Sequence, residues 1–119
     1  MAQMLVSSTH AKDNRDKATI GFVVANAAAA SGVETAVFLT SEGVYLSQLG
    51  YSDDIHEEGF QPLPDLITSY VASGGQIWVC SPCFKRRDLA EDQLVGNALI
   101  TGAGKAIEFL AGGASSLSY

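Results

Sequence analysis

Residues 76–87 have the sequence Gln76-Ile77-Trp78-Val79-Cys80-Ser81-Pro82-Cys83-Phe84-Lys85-Arg86-Arg87. The apolar run at 77–80 predicts a buried strand. The Ser-Pro step after it is typical of the first turn of a helix, here expected to extend to about residue 89. Parallel strands need a crossover connection, usually a helix, so a strand that runs directly into a helix is the repeating unit of a parallel sheet. The stretch therefore predicts an α/β fold.

The same alternation of strands and helices continues in both directions along the chain. Strands are predicted at residues 4–9, 35–40, 98–101 and 115–119, and helices at 17–30, 63–71 and 103–110. The segment 41–62 is irregular, with a helical turn or two expected near 43–49. Such alternation predicts a three-layer α/β/α fold, in which helices cover both faces of a parallel sheet.

Composition limits the classes of protein that this chain can represent. Its 119 residues suffice for one core, and we expect residues 1–119 to form a single domain. With 47% hydrophobic and 17% charged residues, the chain is expected to bury more surface in a homo-oligomer. The helix at 17–30 supports this, because it is apolar on two faces and a sheet covers one. The net charge of −6 argues against nucleic acid as a partner.

Neither membrane insertion nor export is expected. No apolar run approaches the roughly 20 residues of a membrane-spanning helix. The N-terminus lacks the basic and apolar regions of a signal peptide. We therefore expect cytoplasmic residence, where a structural disulfide is unusual.

The two cysteines of the chain form a C-x-x-C at the predicted junction of strand and helix. A thiol at a helix start, followed by cations such as Lys85 and Arg86, is biased toward the reactive thiolate. Cys80 is therefore the predicted nucleophile and Cys83 an auxiliary thiol. Chemistry in parallel sheets lies beyond the carboxyl ends of the strands. The candidate site residues expected at this edge are His10, Thr40, Gly43, Cys80, Cys83, Phe84, Arg86 and Arg87.

Other interpretations of these residues remain open. A redox pair of the thioredoxin type would normally follow the first strand of its βαβ unit, and no later Pro is present here. Both cysteines could also be packed as small apolar residues. That would leave a non-enzymatic, oligomeric module that binds a small ligand or a partner. His10 is either a general base near the sulfur or an exposed turn residue.

Neither a metal nor a cofactor is expected. A zinc site would need two more ligands, and His10 and His56 are too scattered to supply them. Residues 101–106 resemble a phosphate loop, but Leu99 stands where that loop needs glycine. Ala106 replaces the hydroxyl that binds magnesium.

Several stretches together resemble the DsrE/DsrF-like family, which includes sulfur-relay proteins of tRNA thiolation and dissimilatory sulfur metabolism. The resemblance covers nearly the whole chain. It depends on the order of elements, the cysteine at the end of the third predicted strand, and the stretches Ala30-Ser31-Gly32, Val37-Phe38-Leu39-Thr40, Glu42-Gly43-Val44, Gly75-Gln76-Ile77-Trp78-Val79-Cys80 and Asp92-Gln93-Leu94.

The resemblance implies a five-stranded parallel sheet of order 4-3-2-1-5 between helices, in homo- or hetero-oligomers that are commonly trimers or hexamers. In the sulfur carriers of the family, a cysteine at the end of the third strand accepts sulfur as a persulfide, and Cys80 matches that position. Arg86-Arg87 resembles the basic pair that follows it, whereas Asp88 stands where glycine is common and Cys83 is an additional thiol. The implied function is a sulfur carrier or sulfurtransferase, with sulfur donor and acceptor proteins as partners.

Overall fold

Five parallel strands form one sheet in the computed structural model, which describes residues 2–119. Their bounds are β1 Gln3–Ser8, β2 Glu34–Leu39, β3 Gln76–Cys80, β4 Ala98–Thr101 and β5 Ser115–Ser118. The strand order is 4-3-2-1-5, and each adjacent pair is parallel. The fold class and strand order expected from the sequence are thus confirmed.

Four α-helices connect and flank the strands. They are α1 Arg15–Ala30, α2 Leu63–Ala72, α3 Ser81–Arg86 and α4 Ala103–Ala111. The predicted start of α1 at residue 17 was two residues late. The side chain of Asn14 accepts a hydrogen bond from the backbone N–H of Lys17, so this residue caps the helix at its first turn.

The sheet has a hydrophobic cluster on each face. On one face, Val37 and Val79 pack with Phe22 of α1 and Tyr70 of α2, whose rings meet edge to face with centroids 5.8 Å apart. On the other face, the buried Trp78 packs against Phe109 of α4. Helices on both faces complete the predicted three layers and leave the strand ends as the open edges of the sheet.

The segment expected to be irregular contains a 3₁₀ helix at Ser41–Ser47, close to the helical turns predicted at 43–49. Helix α3 is shorter than the predicted 82–89. Asp88 has a φ of 52°, in the left-handed region, so the chain has already turned away from the helix there. Within residues 2–119, no helix is both long and apolar enough to cross a membrane.

The second apolar face of α1 is only partly covered within residues 2–119. Phe22 and Ala25 of the first face are buried against the sheet, whereas Val23 and Val24 are half-buried and Ala27 is exposed. The homo-oligomer that the sequence predicts would bury this second face.

Candidate functional site

The carboxyl edge of the sheet brings the ends of β2 and β3 together. Leu39 pairs with Val79, so Thr40 follows β2 beside the point where Cys80 ends β3. Gly43 fixes the path of the chain after β2. A Cβ at this position would collide with the backbone carbonyl of Ser8, so the 3₁₀ helix can approach β1 only with glycine here.

An open cavity of about 370 Å³ lies at this edge. Its lining residues are Thr40, Ser41, Pro82, Cys83, Arg86 and Arg87. Four of the residues expected from the sequence, Thr40, Cys83, Arg86 and Arg87, thus share one cavity. Cys80 does not line it, although both cysteines are half-buried and both pack against the hydrophobic core.

The sulfur of Cys83 has a fixed hydrogen-bond donor. The backbone N–H of Ser41 donates to Cys83 Sγ at 3.3 Å. Ser41 has a φ of 53°, a left-handed conformation that costs a non-glycine residue on the order of 1 kcal/mol. An unfavourable backbone conformation therefore coincides with the contact between the turn and the thiol.

Arg87 is the cation held beside Cys83. Its Nε donates to Glu42 Oε2 at 2.8 Å and its Nη1 donates to the Cys83 carbonyl oxygen at 3.2 Å. The guanidinium also lies 5.9 Å from the centre of the Tyr45 ring. These contacts fix the positive charge, and the side chain is only 18% exposed, so solvent screens the charge incompletely.

The two thiols have opposite pKa shifts. Burial raises the pKa of Cys80, and the hydrogen bond that its thiol donates to Cys83 raises it further. Burial acts in the same direction on Cys83. The hydrogen bonds from Cys80 and from the Ser41 N–H, together with the charge of Arg87, outweigh it and lower the pKa of Cys83. The Ser41 N–H and the Arg87 charge favour the thiolate at Cys83, and the sequence-based assignment of the nucleophile to Cys80 stays a prediction.

The sequence-based expectation for Cys80 depended on the helix start and on nearby basic residues, and both differ from that expectation in the structure. The helix has six residues, too few for a strong dipole at its N-terminus. Lys85 and Arg86, expected to supply positive potential, are exposed, whereas Arg87 is held against the Cys83 carbonyl.

The remaining candidates do not contribute atoms to the cavity. His10 Nδ1 lies 2.7 Å from Asp13 Oδ2, and the ring is outside the cavity lining. Phe84 is buried and packs α3 against the hydrophobic core. Gly43 contributes by letting the 3₁₀ helix lie close to β1, as described above.

The sequence placed the stretch Thr40 to Gly43 at this edge but did not name Ser41 and Glu42 as site residues. Glu42 is 45 residues from Arg87 along the chain, so no local pattern indicates their contact. Across residues 2–119, no group of three or more His, Cys, Asp and Glu side chains is arranged to hold a metal ion.

A parallel sheet of order 4-3-2-1-5 with two adjacent thiols at its carboxyl edge defines a class of thiol-bearing α/β proteins. This chain belongs to the DsrE/DsrF-like family, whose sequence profile matches residues 2–119. The resemblance noted from the sequence is thereby confirmed, and with it membership of a family whose members act in sulfur relay.

Individual relatives are distant. The uncharacterized protein MJ0760 of Methanocaldococcus jannaschii is 26% identical over 108 residues, which cover 91% of this chain and 39% of that protein. The chain therefore spans about two fifths of the length of this relative.

Solved structures share the fold at low sequence identity. The ychN protein of E. coli has a TM-score of 0.84 at 16% identity, with both chains covered fully. The protein of unknown function MTH1491 of Methanobacterium thermoautotrophicum has a TM-score of 0.71 at 13% identity, also over the full length of both chains. These similarities show the fold alone.

Proposed function

We propose that this protein carries sulfane sulfur as a persulfide on the Cys80–Cys83 pair and passes it to an acceptor thiol. The main support is that two thiols one helical turn apart lie at the carboxyl edge of the sheet, where Cys83 lines an open cavity with Arg87 and its sulfur accepts a hydrogen bond from the Ser41 N–H. Cys80, at the end of β3, is the proposed residue from which the sulfur is handed on, because family carriers hold persulfide at that position.

The proposed chemistry is thiol exchange without a net oxidant or reductant. A cysteine thiolate attacks the outer sulfur of a donor persulfide, forming a cysteine persulfide and releasing the donor as a thiolate. An acceptor thiolate then attacks the outer sulfur of the cysteine persulfide and leaves the cysteine as a thiolate. Alternatively, the second cysteine attacks the inner sulfur, which forms a Cys80–Cys83 disulfide and releases hydrosulfide.

The other candidate residues have different proposed roles. Thr40, Arg86 and Arg87 would contact the donor, since they line the cavity with Cys83. Gly43 and Phe84 would shape the site through backbone path and packing. His10 is the proposed proton acceptor for a donor protein that spans the edge, because it follows β1 there and Asp13 holds its ring.

Intact mass spectrometry after incubation with glutathione persulfide tests the function. We expect the wild type to gain one sulfur atom per chain, removable by dithiothreitol, and the double variant Cys80→Ser/Cys83→Ser to gain none. When an acceptor thiol is then added, we expect the mass gain to be lost, because the sulfur passes to that thiol. A wild type that gains no sulfur from any persulfide donor would overturn the proposal.

A homo-oligomer, trimeric or hexameric, completes the proposal, and sulfur donor and acceptor proteins are its proposed transient partners. The half-exposed second face of α1 supports the oligomer. The same face favours one alternative function, a non-enzymatic module that binds a ligand or partner between subunits. Slow alkylation of both thiols, at the rate of buried cysteines, would favour that alternative.

A dithiol redox protein is the remaining alternative. The hydrogen-bond contact between Cys80 and Cys83 would also suit a pair that cycles between dithiol and disulfide. A well-defined reduction potential, without sulfur uptake, would favour it over sulfur transfer.

A further inference from the structure

We propose that Cys83 is the thiol that attacks the sulfur donor, and that Cys80 receives the sulfur from it. This inference rests on the proposed function and assigns a distinct step to each cysteine. It differs from the assignment by family position, which places the first attack on Cys80.

Access to the donor distinguishes the two sulfurs. Cys83 lines the open cavity together with Thr40, Ser41 and Arg86. Both thiols are half-buried and both pack against the hydrophobic core, but Cys80 does not line this cavity. A donor persulfide must bring its outer sulfur against the attacking sulfur, and the cavity offers that approach at Cys83.

The groups around Cys83 stabilise a negative charge on its sulfur. The Ser41 N–H donates to Sγ at 3.3 Å and the Cys80 thiol donates as well. Arg87 adds a positive charge held by Glu42, and Arg86 faces the same cavity. Glu42 offsets part of the Arg87 charge. Even so, the balance of all these groups lowers the pKa of the Cys83 thiol.

The two steps balance in atoms and electrons. The Cys83 thiolate attacks the outer sulfur of R–S–SH, forming Cys83–S–SH and releasing R–S⁻. This persulfide stays protonated for the second step. Cys80 attacks its outer sulfur as the Cys80 thiol proton passes to the Cys83 sulfur that leaves, giving Cys80–S–SH and Cys83–SH. The proton and the sulfur atom thus move in opposite directions between two residues of the same helical turn, without an added reactant.

Loading rates of the single variants separate the steps. With glutathione persulfide at pH 7, quenched intact mass spectrometry should show that Cys80→Ser gains sulfur at nearly the wild-type rate and keeps it on Cys83. Cys83→Ser should load more slowly by roughly tenfold or more, because the remaining Cys80 thiol lies outside the cavity and its pKa is raised by burial. Loading of Cys83→Ser at the wild-type rate, or equal rates for the two variants, would overturn the assignment.

The rate of thiol alkylation is a second measurement of nucleophilicity, and it does not depend on sulfur transfer. In Cys80→Ser, the Ser41 N–H and Arg87 still act on the Cys83 sulfur, whereas in Cys83→Ser burial still acts on Cys80. The rate with iodoacetamide should therefore rise with pH through a lower midpoint in Cys80→Ser than in Cys83→Ser. If the wild type takes up no sulfur but Cys83 still alkylates first, the proposed function fails while Cys83 stands as the nucleophilic thiol. Sulfur uptake with the reverse order of alkylation would remove the inference and leave the function.

Discussion

At the scale of single residues, the guanidinium of Arg87 is a positive charge held beside the Cys83 thiol. It donates to the Cys83 carbonyl oxygen and to Glu42. Removing it in Arg87→Gln should raise the pKa of Cys83, because the thiolate loses its nearest positive charge. Less thiolate would then be present at pH 7, and alkylation of Cys83 should slow by roughly three- to tenfold.

The measurement is the pH profile of iodoacetamide alkylation in a Cys80→Ser background, where Cys83 is the sole thiol. Lys85→Gln is the matched control, since it removes one positive charge from the same helix at an exposed position outside the cavity. Equal slowing by both substitutions would indicate a general charge effect and contradict a specific role for Arg87.

Residue chemistry was only partly predictable from the sequence. The location of the site was predictable, because Thr40 follows one recognisable strand and Cys80 ends another. The hydrogen bond to the Cys83 sulfur was not, since its donor, the Ser41 N–H, is 42 residues away from Cys83 along the chain. No local pattern indicates that this turn will meet that thiol.

At the scale of elements, the contact between the 3₁₀ helix and β1 holds Ser41 in place. Gly43 packs so closely on the Ser8 carbonyl that a Cβ there would collide with backbone. Gly43→Ala should therefore lower the free energy of unfolding by about 1–3 kcal/mol, the usual cost of overpacking. It should also slow alkylation of Cys83, because a displaced turn withdraws the Ser41 N–H from the sulfur.

Chemical denaturation with the same alkylation assay measures both effects. Gly104→Ala is the matched control. This glycine lies in α4 with no atom within 4 Å of a built Cβ, so alanine should be neutral or slightly stabilising there. An unchanged Gly43→Ala protein would show that the turn can shift without cost and would weaken the role assigned to it.

The strands and long helices were predictable to within one or two residues because apolar runs and 3.6-residue periodicity mark them. In the segment 41–62 the helical turns predicted at 43–49 are present, but the 3₁₀ helix begins two residues earlier at Ser41, since such a helix has no 3.6-residue period to mark its bounds. The end of α3 was also missed: the left-handed φ at Asp88 has no clear counterpart in the residue types around it.

At the scale of the whole molecule, the parallel sheet explains why residues from distant parts of the chain share one edge. Each crossover returns the chain to the amino end of the sheet, so every strand delivers its last residues to the same side. The same arrangement leaves α1 between the sheet and the surface. Its first face is buried, and its second face, with Val23 and Ala27, is open for another copy of the chain.

An interface on that second face can be tested at Ala27, which is exposed and therefore tolerates a larger side chain within the subunit. We expect light scattering to give the wild type a mass of three or six chains, and Ala27→Glu a smaller one, because burying an unpaired carboxylate between apolar faces is costly. Ser69→Glu, at an exposed position of α2, is the matched control and should leave the assembly intact. A monomeric wild type, or an Ala27→Glu protein that assembles normally, would exclude this face as the interface.

The dissociated Ala27→Glu protein also tests whether one subunit contains the whole thiol site. Because Cys83 makes its contacts within its own chain, we expect this protein still to take up sulfur.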